Sequence, residues 1–250
     1  MIITLLSYNI RFGGTDRETP LTEIIRSVAP DIVVFQEAIV PRIIEQIAAS
    51  TGMRFWAAKA NHSIGYCSRI EIEHHEWHVP RGLRHPFLEI QPAGTHARIF
   101  GLHLRAMFSK WGERRRAQEI QTLLTTIKKH QEGFHVLVGD FNSLGPGEIL
   151  DAKKMPHWIR TMIWLSGRDI QRATVQLLLE RGYVDGFRTL HPDEKGYTFP
   201  TWDPHVRLDY LFVPSPFLNR LHQSQVITQP PAQTASDHFP LLSLLDIPDL

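Results

Sequence analysis

Apolar and polar residues run along this chain in short blocks whose period changes from one block to the next. Residues 2–6, Ile-Ile-Thr-Leu-Leu, form an apolar run that ends in Ser7-Tyr8-Asn9. A run of that length with no alternation predicts a strand buried on both faces. Leu21, Ile24, Ile25 and Val28 then recur at helical spacing, with Thr19 as N-cap, Pro20 at the first helical position and Pro30 as the stop. Residues 31–38, DIVVFQEA, predict a second buried strand that ends in Gln36 and Glu37. Shorter antiparallel strands are predicted at 54–60, 64–69, 72–79 and 86–91, and another at 97–106 with His103 near its end. Ala117, Ile120, Leu124 and Ile127 give the next helix an apolar stripe, and FHVLVGDFNS follows it as a strand. A helix around 174–181 and strands at 207–213 and 238–245 complete the pattern.

Strands alternating with helices early, with clusters of strands between them, predict an α/β sandwich of two sheets with helices outside. Proline and glycine never thicken into a linker, so residues 1–250 read as one domain. The apolar fraction of 42% is enough for a sizeable core, and the formal charge of +1 is small for a protein that tracks long nucleic acids. Cys67 is the one cysteine, which excludes an internal disulfide and a cysteine-based zinc site; within an apolar strand it reads as core. The first residues lack a basic segment and a signal-length apolar run, and no run approaches the roughly 20 residues that span a bilayer. The expectation is a cytoplasmic protein.

The chemistry lies at the strand ends. Asn9, Glu37, His103, Asp140, Asn142, Asp209, Asp237 and His238 all sit at or beside the end of an apolar strand. Each alone reads as turn chemistry. Together they read otherwise, because carboxylates beside a core need a partner. If the sheets bring these ends together, Glu37, Asp140 and Asp237 repel one another, and a hard divalent cation relieves that repulsion. Mg²⁺ takes few carboxylates, with water and phosphate oxygens completing its shell. The two histidines, titrating near neutrality, suit acid–base work or phosphate contact.

The segments LLSYNIR, PDIVVFQEA, GLHLRA, VLVGDFNS, RLDYLFV and SDHFPLL occur in that order across nearly the whole chain. In these six segments the chain resembles the endonuclease/exonuclease/phosphatase superfamily, the deoxyribonuclease-I-like proteins. The resemblance implies a four-layered α/β sandwich, with two mixed β-sheets packed face to face and helices outside. It implies a Mg²⁺-dependent phosphodiesterase, with Mn²⁺ as a substitute, that attacks phosphorus in line with an activated water. On these positions Asn9 and Glu37 would hold the metal, Glu37 directly, and Asp237 would complete the metal site. Asp140 would orient or deprotonate the water, and Asn142 would hold a phosphate oxygen. His238, oriented by Asp209, would face the scissile phosphate, and His103 would contact phosphate or assist the leaving group. Arg207 would add a phosphate contact through its guanidinium fork.

Departures from the family pattern bear on substrate. The GLHLRA strand carries His103 where exonuclease-III-like abasic-site enzymes have Tyr, and Val206 stands where those enzymes have an aromatic residue. The His form resembles the deoxyribonuclease, sphingomyelinase and inositol-phosphatase branches. Residues 144–173 are longer than their connection requires. Within 152–172, Lys153, Lys154, Arg160, Arg168 and Arg172 stand against Asp169, interleaved with Trp158, Ile159, Met162, Ile163, Trp164 and Leu165. This aromatic-basic insertion reads as a helical piece packed on the body, or as a lid gripping a nucleobase or a lipid face, with peripheral membrane contact. The substrate class is therefore a phosphodiester of nucleic acid, of a phospholipid head group or of a small molecule. The alternative is a catalytically inactive scaffold that serves as a binding module. Arg114, Arg115 and Arg116 read as a solvated helix face. The cluster His74, His75, His78 and His85 invites a metal reading; because His74 and His78 share one strand face while His75 points the other way, the four read rather as exposed strand histidines.

Overall fold

The computed structural model describes residues 1–107, 109–148, 154, 157, 160–161 and 172–249. Trp158, Ile159, Met162, Ile163, Trp164 and Leu165 of the insertion, and with them the expected lid, lie outside the described residues.

From the N-terminus come β1 (Ile2–Asn9), α1 (Glu18–Val28), β2 (Ile32–Gln36), α2 (Pro41–Thr51), β3 (Phe55–Ala57) and β4 (Gly65–Ser68). Next are β5 (Ile72–His78), β6 (Phe87–Pro92), β7 (Arg98–His103), α3 (Lys110–Thr126) and β8 (His135–Asp140). The chain ends with α4 (Ala173–Glu180), β9 (Tyr183–Asp185), α5 (Gly186–Leu190), β10 (Asp209–Pro214), β11 (Leu221–Val226), α6 (Ala232–Ala235) and β12 (Leu241–Asp246). The strands form two six-stranded sheets, ordered β11-β12-β1-β2-β4-β3 and β5-β6-β7-β8-β10-β9. Each sheet has one parallel pair at its centre, β1/β2 in the first and β7/β8 in the second, with antiparallel strands on both sides. This is the expected four-layered α/β sandwich of two mixed sheets.

The double-faced burial of the central strands follows from their unbroken apolar sequence. In β2, Ile32 and Val34 face the space between the sheets, where they meet Leu88, Ile99, Val136 and Leu211. Val33 and Phe35 face the other way, onto Leu21, Ile25, Ile43 and Ile47 of α1 and α2. On the far side of the second sheet, Phe100, Leu137 and Phe212 pack against Ile120, Leu123 and Leu124 of α3 and Val175 and Leu178 of α4. Truncating one such aliphatic side chain to alanine costs about 2–5 kcal/mol. Cys67 is buried in the first of these outer cores, as expected.

Several elements differ from the sequence expectations. Helix α1 starts at Glu18, so Thr19 lies inside its first turn and Arg17 takes the N-cap position without a side-chain bond. Strand β12 starts at Leu241, which leaves His238 in the loop before it. Helix α2, which the expectations leave unassigned, begins with Pro41 and ends on Gly52 at φ 69°. Arg116 is also not solvated: it is 1% exposed, donates to Glu113 and to the Arg105 and Met107 carbonyls, and leaves Arg114 and Arg115 to face water.

The two parallel pairs position the chemistry. Parallel strands end on the same side, and the antiparallel neighbours begin there. Asn9, Gln36, His103 and Asp140 therefore finish four central strands at one rim, where β10 starts with Asp209 directly opposite Asp140. Gly139, just before Asp140, makes that approach feasible. It has φ 143°, and a Cβ there would lie 2.0 Å from the Leu102 carbonyl oxygen. No side chain fits between β7 and β8 at that point.

Candidate active site

The rim is knit together by side chains from both sheets. Asn9, at the end of β1, turns its amide nitrogen toward two carboxylates, 3.3 Å from Glu37 Oε1 and 3.1 Å from Asp140 Oδ2. Its oxygen accepts from the Arg11 N–H at 3.0 Å. Asn9 thus draws the first sheet's glutamate and the second sheet's aspartate to a common point. Glu37 follows β2 at φ 58°, and its other oxygen accepts from the Phe12 N–H at 2.6 Å. Asn142, at φ 49°, donates its backbone N–H to Asp140 Oδ1 at 2.9 Å and its amide to the Leu104 carbonyl at 3.0 Å. Positive φ at a non-glycine residue costs about 1–3 kcal/mol and persists where its surroundings enforce it, often at functional sites.

Two imidazoles point at Asp140. His238 Nε2 is 3.9 Å and His103 Nε2 is 3.6 Å from Asp140 Oδ2. His238 Nδ1 donates to Asp209 Oδ2 at 2.8 Å. Burial works against the charged ring, but the Asp209 and Asp140 carboxylates outweigh it and raise its pKa to about 10. His238 is therefore an imidazolium at neutral pH. His103 is the opposite case. Its Nδ1 lies 2.5 Å from Ser63 Oγ, and that hydroxyl also accepts the Glu37 N–H at 3.1 Å. The Ser63 hydroxyl thus bridges the Glu37 backbone and the His103 ring, whose Nε2 faces Asp140. Burial, with His85 and His238 nearby, lowers the His103 pKa to about 3 and keeps the ring neutral. Asp140 itself is pushed up to about 7, chiefly by burial, with His238 pulling down and Asp209 pushing up.

Asp237 stands at the edge of this group, its Oδ2 3.3 Å from Arg11 Nε. Its neighbour Ser236 donates to the Asn9 carbonyl at 2.6 Å, which ties the loop before β12 to the end of β1.

Arg207 does not join the group. It is 2% exposed and donates to Glu148 Oε1 at 2.8 Å and to Asp185 Oδ1 at 2.9 Å, with its guanidinium carbon 4.3 Å from the Tyr210 ring centre. A buried guanidinium needs paired carboxylates, and here those partners occupy the fork that a phosphate would require.

Two residues outside the expected site take part: Ser63, on which the expectations are silent, and His85, which they read as an exposed strand histidine. Ser63 bonds the His103 ring and the Glu37 backbone. His85 leaves the β5–β6 connection to stack on His103, with ring centres 4.8 Å apart and planes 7° from parallel. Burial, then Arg84 and Arg105, lowers its pKa to about 4. Strand alternation cannot place a residue in a connection, so no periodic signal marks it. His74, His75 and His78 do follow the alternation: His75 meets the Tyr66 hydroxyl at 3.2 Å on one face, while His78 meets Glu89 at 2.8 Å on the other.

The donor set fits a hard cation. Glu37, Asp140, Asp209 and Asp237 stand against the His238 imidazolium and the Arg11 guanidinium, and Asp209 Oδ1 is buried without a hydrogen-bond partner among the described residues. As oriented, Asn9 offers N–H donors to the two carboxylates, so it spaces them, and Glu37 offers the carboxylate oxygen that a cation takes.

No curated protein matches the chain by sequence. Among solved structures, an AP endonuclease from Archaeoglobus fulgidus superposes with a TM-score of 0.70 at 19% identity, covering 98% of this chain and 100% of that one. The 3′-5′ exonuclease NExo from Neisseria meningitidis gives 0.67 at 18% identity, over 98% and 100% of the two chains. A humanized TDP2 from D. rerio gives 0.67 at 15% identity, over 98% and 99%. At these identities the likeness is one of fold. The family model for endonuclease/exonuclease/phosphatase proteins matches residues 6–238, a span that holds every strand-end residue described above, and the chain belongs to that family.

Proposed function

We propose that this protein is a divalent-metal-dependent phosphodiesterase that uses water as nucleophile. The observation that carries the reading is the focus on Asp140 Oδ2, reached by Asn9 from one side and by the Nε2 atoms of His103 and His238 from the other. A carboxylate raised to about 7 is a base matched to neutral pH. In the proposed reaction Asp140 takes a proton from water as its oxygen attacks phosphorus, and the bond to the leaving oxygen breaks in line. His238, held by Asp209, presents a charged N–H to the phosphoryl oxygens, and neutral His103 donates Nε2–H to the phosphoryl or leaving oxygen. Asn142 keeps its second amide hydrogen for a phosphate oxygen. Mg²⁺ or Mn²⁺ would be held by Glu37, with Asp237 and Asn9 beside it, and supplies Lewis-acid stabilisation of the developing charge.

A phosphodiester from nucleic acid, a phospholipid head group or a small molecule fits this centre. Exposed Phe12 and Trp202 support a substrate with an apolar or aromatic body: Phe12 adjoins Glu37, and Trp202 contacts Phe199, which packs on His238. The test is hydrolysis of bis(p-nitrophenyl) phosphate with Mg²⁺ or Mn²⁺, run beside p-nitrophenyl phosphate, plasmid DNA and sphingomyelin. EDTA and Glu37→Ala are each expected to abolish turnover. Turnover that survives either one would sink the assignment.

A further inference from the structure

A second cluster of ligand-type groups lies on the opposite face of the second sheet from His103. Alternation along β5 sends His74, Glu76 and His78 to the helix side, and the strand register sets Glu76 directly opposite Glu89 of β6. Glu89 in turn pairs with Phe100, whose ring is part of the outer core, so the sheet itself separates this cluster from the active site. Two carboxylates directly opposite on antiparallel strands repel each other. Glu89 is 2% exposed, which sharpens the repulsion.

Nitrogen donors surround the pair. His78 Nε2 is 2.8 Å from Glu89 Oε2 and 4.0 Å from Glu76 Oε2, and His74 Nε2 is 3.7 Å from Glu76 Oε2. Ligand atoms of His74, Glu76 and Glu89 all lie within 4.8 Å of one another. Arg98 Nε holds the other Glu89 oxygen at 2.8 Å. His130 Nε2, on the turn after α3, lies 3.2 Å from Glu89 Oε1.

We propose that His74, Glu76, His78 and Glu89 form a metal site for a zinc-class transition ion, separate from the hard-cation pocket. Two imidazoles with two carboxylates suit zinc, whereas Mg²⁺ favours oxygen and octahedral geometry. Zinc bonds of about 2.0–2.2 Å place tetrahedral ligands roughly 3.3 Å apart. The His78–Glu89 contact has to open slightly, and the half-exposed His74 and Glu76 have to close in. Zinc takes the lone pair of one His78 ring nitrogen, and the proton on that nitrogen moves to the other nitrogen of a neutral ring or, from a charged ring, to solvent. Because β5 is the edge strand of its sheet, the ion clips that edge to β6.

The test uses the full chain stripped of metal and titrated with Zn²⁺ by calorimetry, with thermal melts alongside. Wild type and Glu37→Ala are expected to bind one zinc equivalent that the His74→Ala/His78→Ala double variant lacks. Zinc should raise Tm in the first two and leave the double variant unmoved. Hydrolysis of bis(p-nitrophenyl) phosphate in Mg²⁺ should stay within about twofold of wild type in the double variant, so failure here is distinguishable from failure of the phosphodiesterase reading. If the double variant does not fold, His74→Ala alone, at a half-exposed position, must weaken zinc binding at least tenfold. Zinc bound at unchanged number and affinity in whichever variant folds overturns the site.

Discussion

At the scale of the residue, the two imidazoles facing Asp140 are driven in opposite directions by what touches them. His238 has a folded pKa of about 10 against an ordinary value of 6.5. In metal-free protein its pairing with Asp209 therefore stabilises the fold fully below pH 6.5, and the contribution is lost as pH rises through about 10. Asp209→Asn lowers the His238 pKa. The variant is expected to lose activity about 10- to 100-fold at pH 8, to shift the alkaline limb of kcat/KM downward, and to flatten the alkaline fall in urea stability. His85 acts on the other ring. With pKa values of about 4 and 3, His85 and His103 both stay neutral at pH 5. Removing the stacked ring opens His103 to water, so His85→Ala should lower kcat/KM roughly threefold to tenfold, while the acid limb, set by Asp140 at about 7, stays in place. His85→Phe, which keeps the stack, should restore most of the loss with Tm unchanged. An unchanged kcat/KM in His85→Ala, or a loss that His85→Phe does not restore, would remove the positioning role.

At the scale of the element, buried ion pairs fix how segments meet. Arg207, just before β10, bridges Glu148, in the segment after β8, and Asp185, at the end of β9. Its loss strands two carboxylates, so Arg207→Ala is expected to cost about 3–5 kcal/mol in urea unfolding, and Arg207→Lys less. A stability change under about 1 kcal/mol would instead return Arg207 to the surface role. Periodicity makes most elements legible: the short apolar runs of β1, β2 and β8, bounded by polar and turn residues, read as strands buried on both faces. Helix α2 carries a comparable signal in Pro41, Ile43, Ile44, Ile47 and Gly52, although the expectations pass over it. Arg116 is a different matter. Its place beside two equally basic neighbours says nothing of which one turns inward, because that depends on Glu113 and on carbonyls contributed by the turn after β7.

At the scale of the molecule, the active centre spans two sheets. Glu37 belongs to the first, Asp140 to the second, and Asn9 holds one amide group against both. Residues that act as a unit lose activity together rather than additively. Glu37→Ala, Asp140→Asn and the double variant are expected to fall to the same residual kcat on bis(p-nitrophenyl) phosphate. Additive losses would show two independent sites. The face-to-face packing that creates this centre buries Val34, Ile99, Val136 and Leu211 between the sheets, so the inter-sheet core and the chemistry share one boundary.

The linear chain by itself determined the alternation of strands and helices, the two-sheet sandwich and the polar residues that close the central strands. These are local consequences of hydrophobic period and of which groups tolerate a strand end. Only the tertiary structure decided the parallel pairs that put Asn9, Glu37, His103, Asp140, Asp209 and His238 at one rim. It also buried Arg207 among carboxylates, carried His85 onto His103 and brought Ser63 against that ring. Each of these depends on groups far apart in sequence meeting in a low-dielectric space, where pairing is enforced by the cost of leaving a charge or a donor alone, and no pattern along a single segment encodes such a meeting.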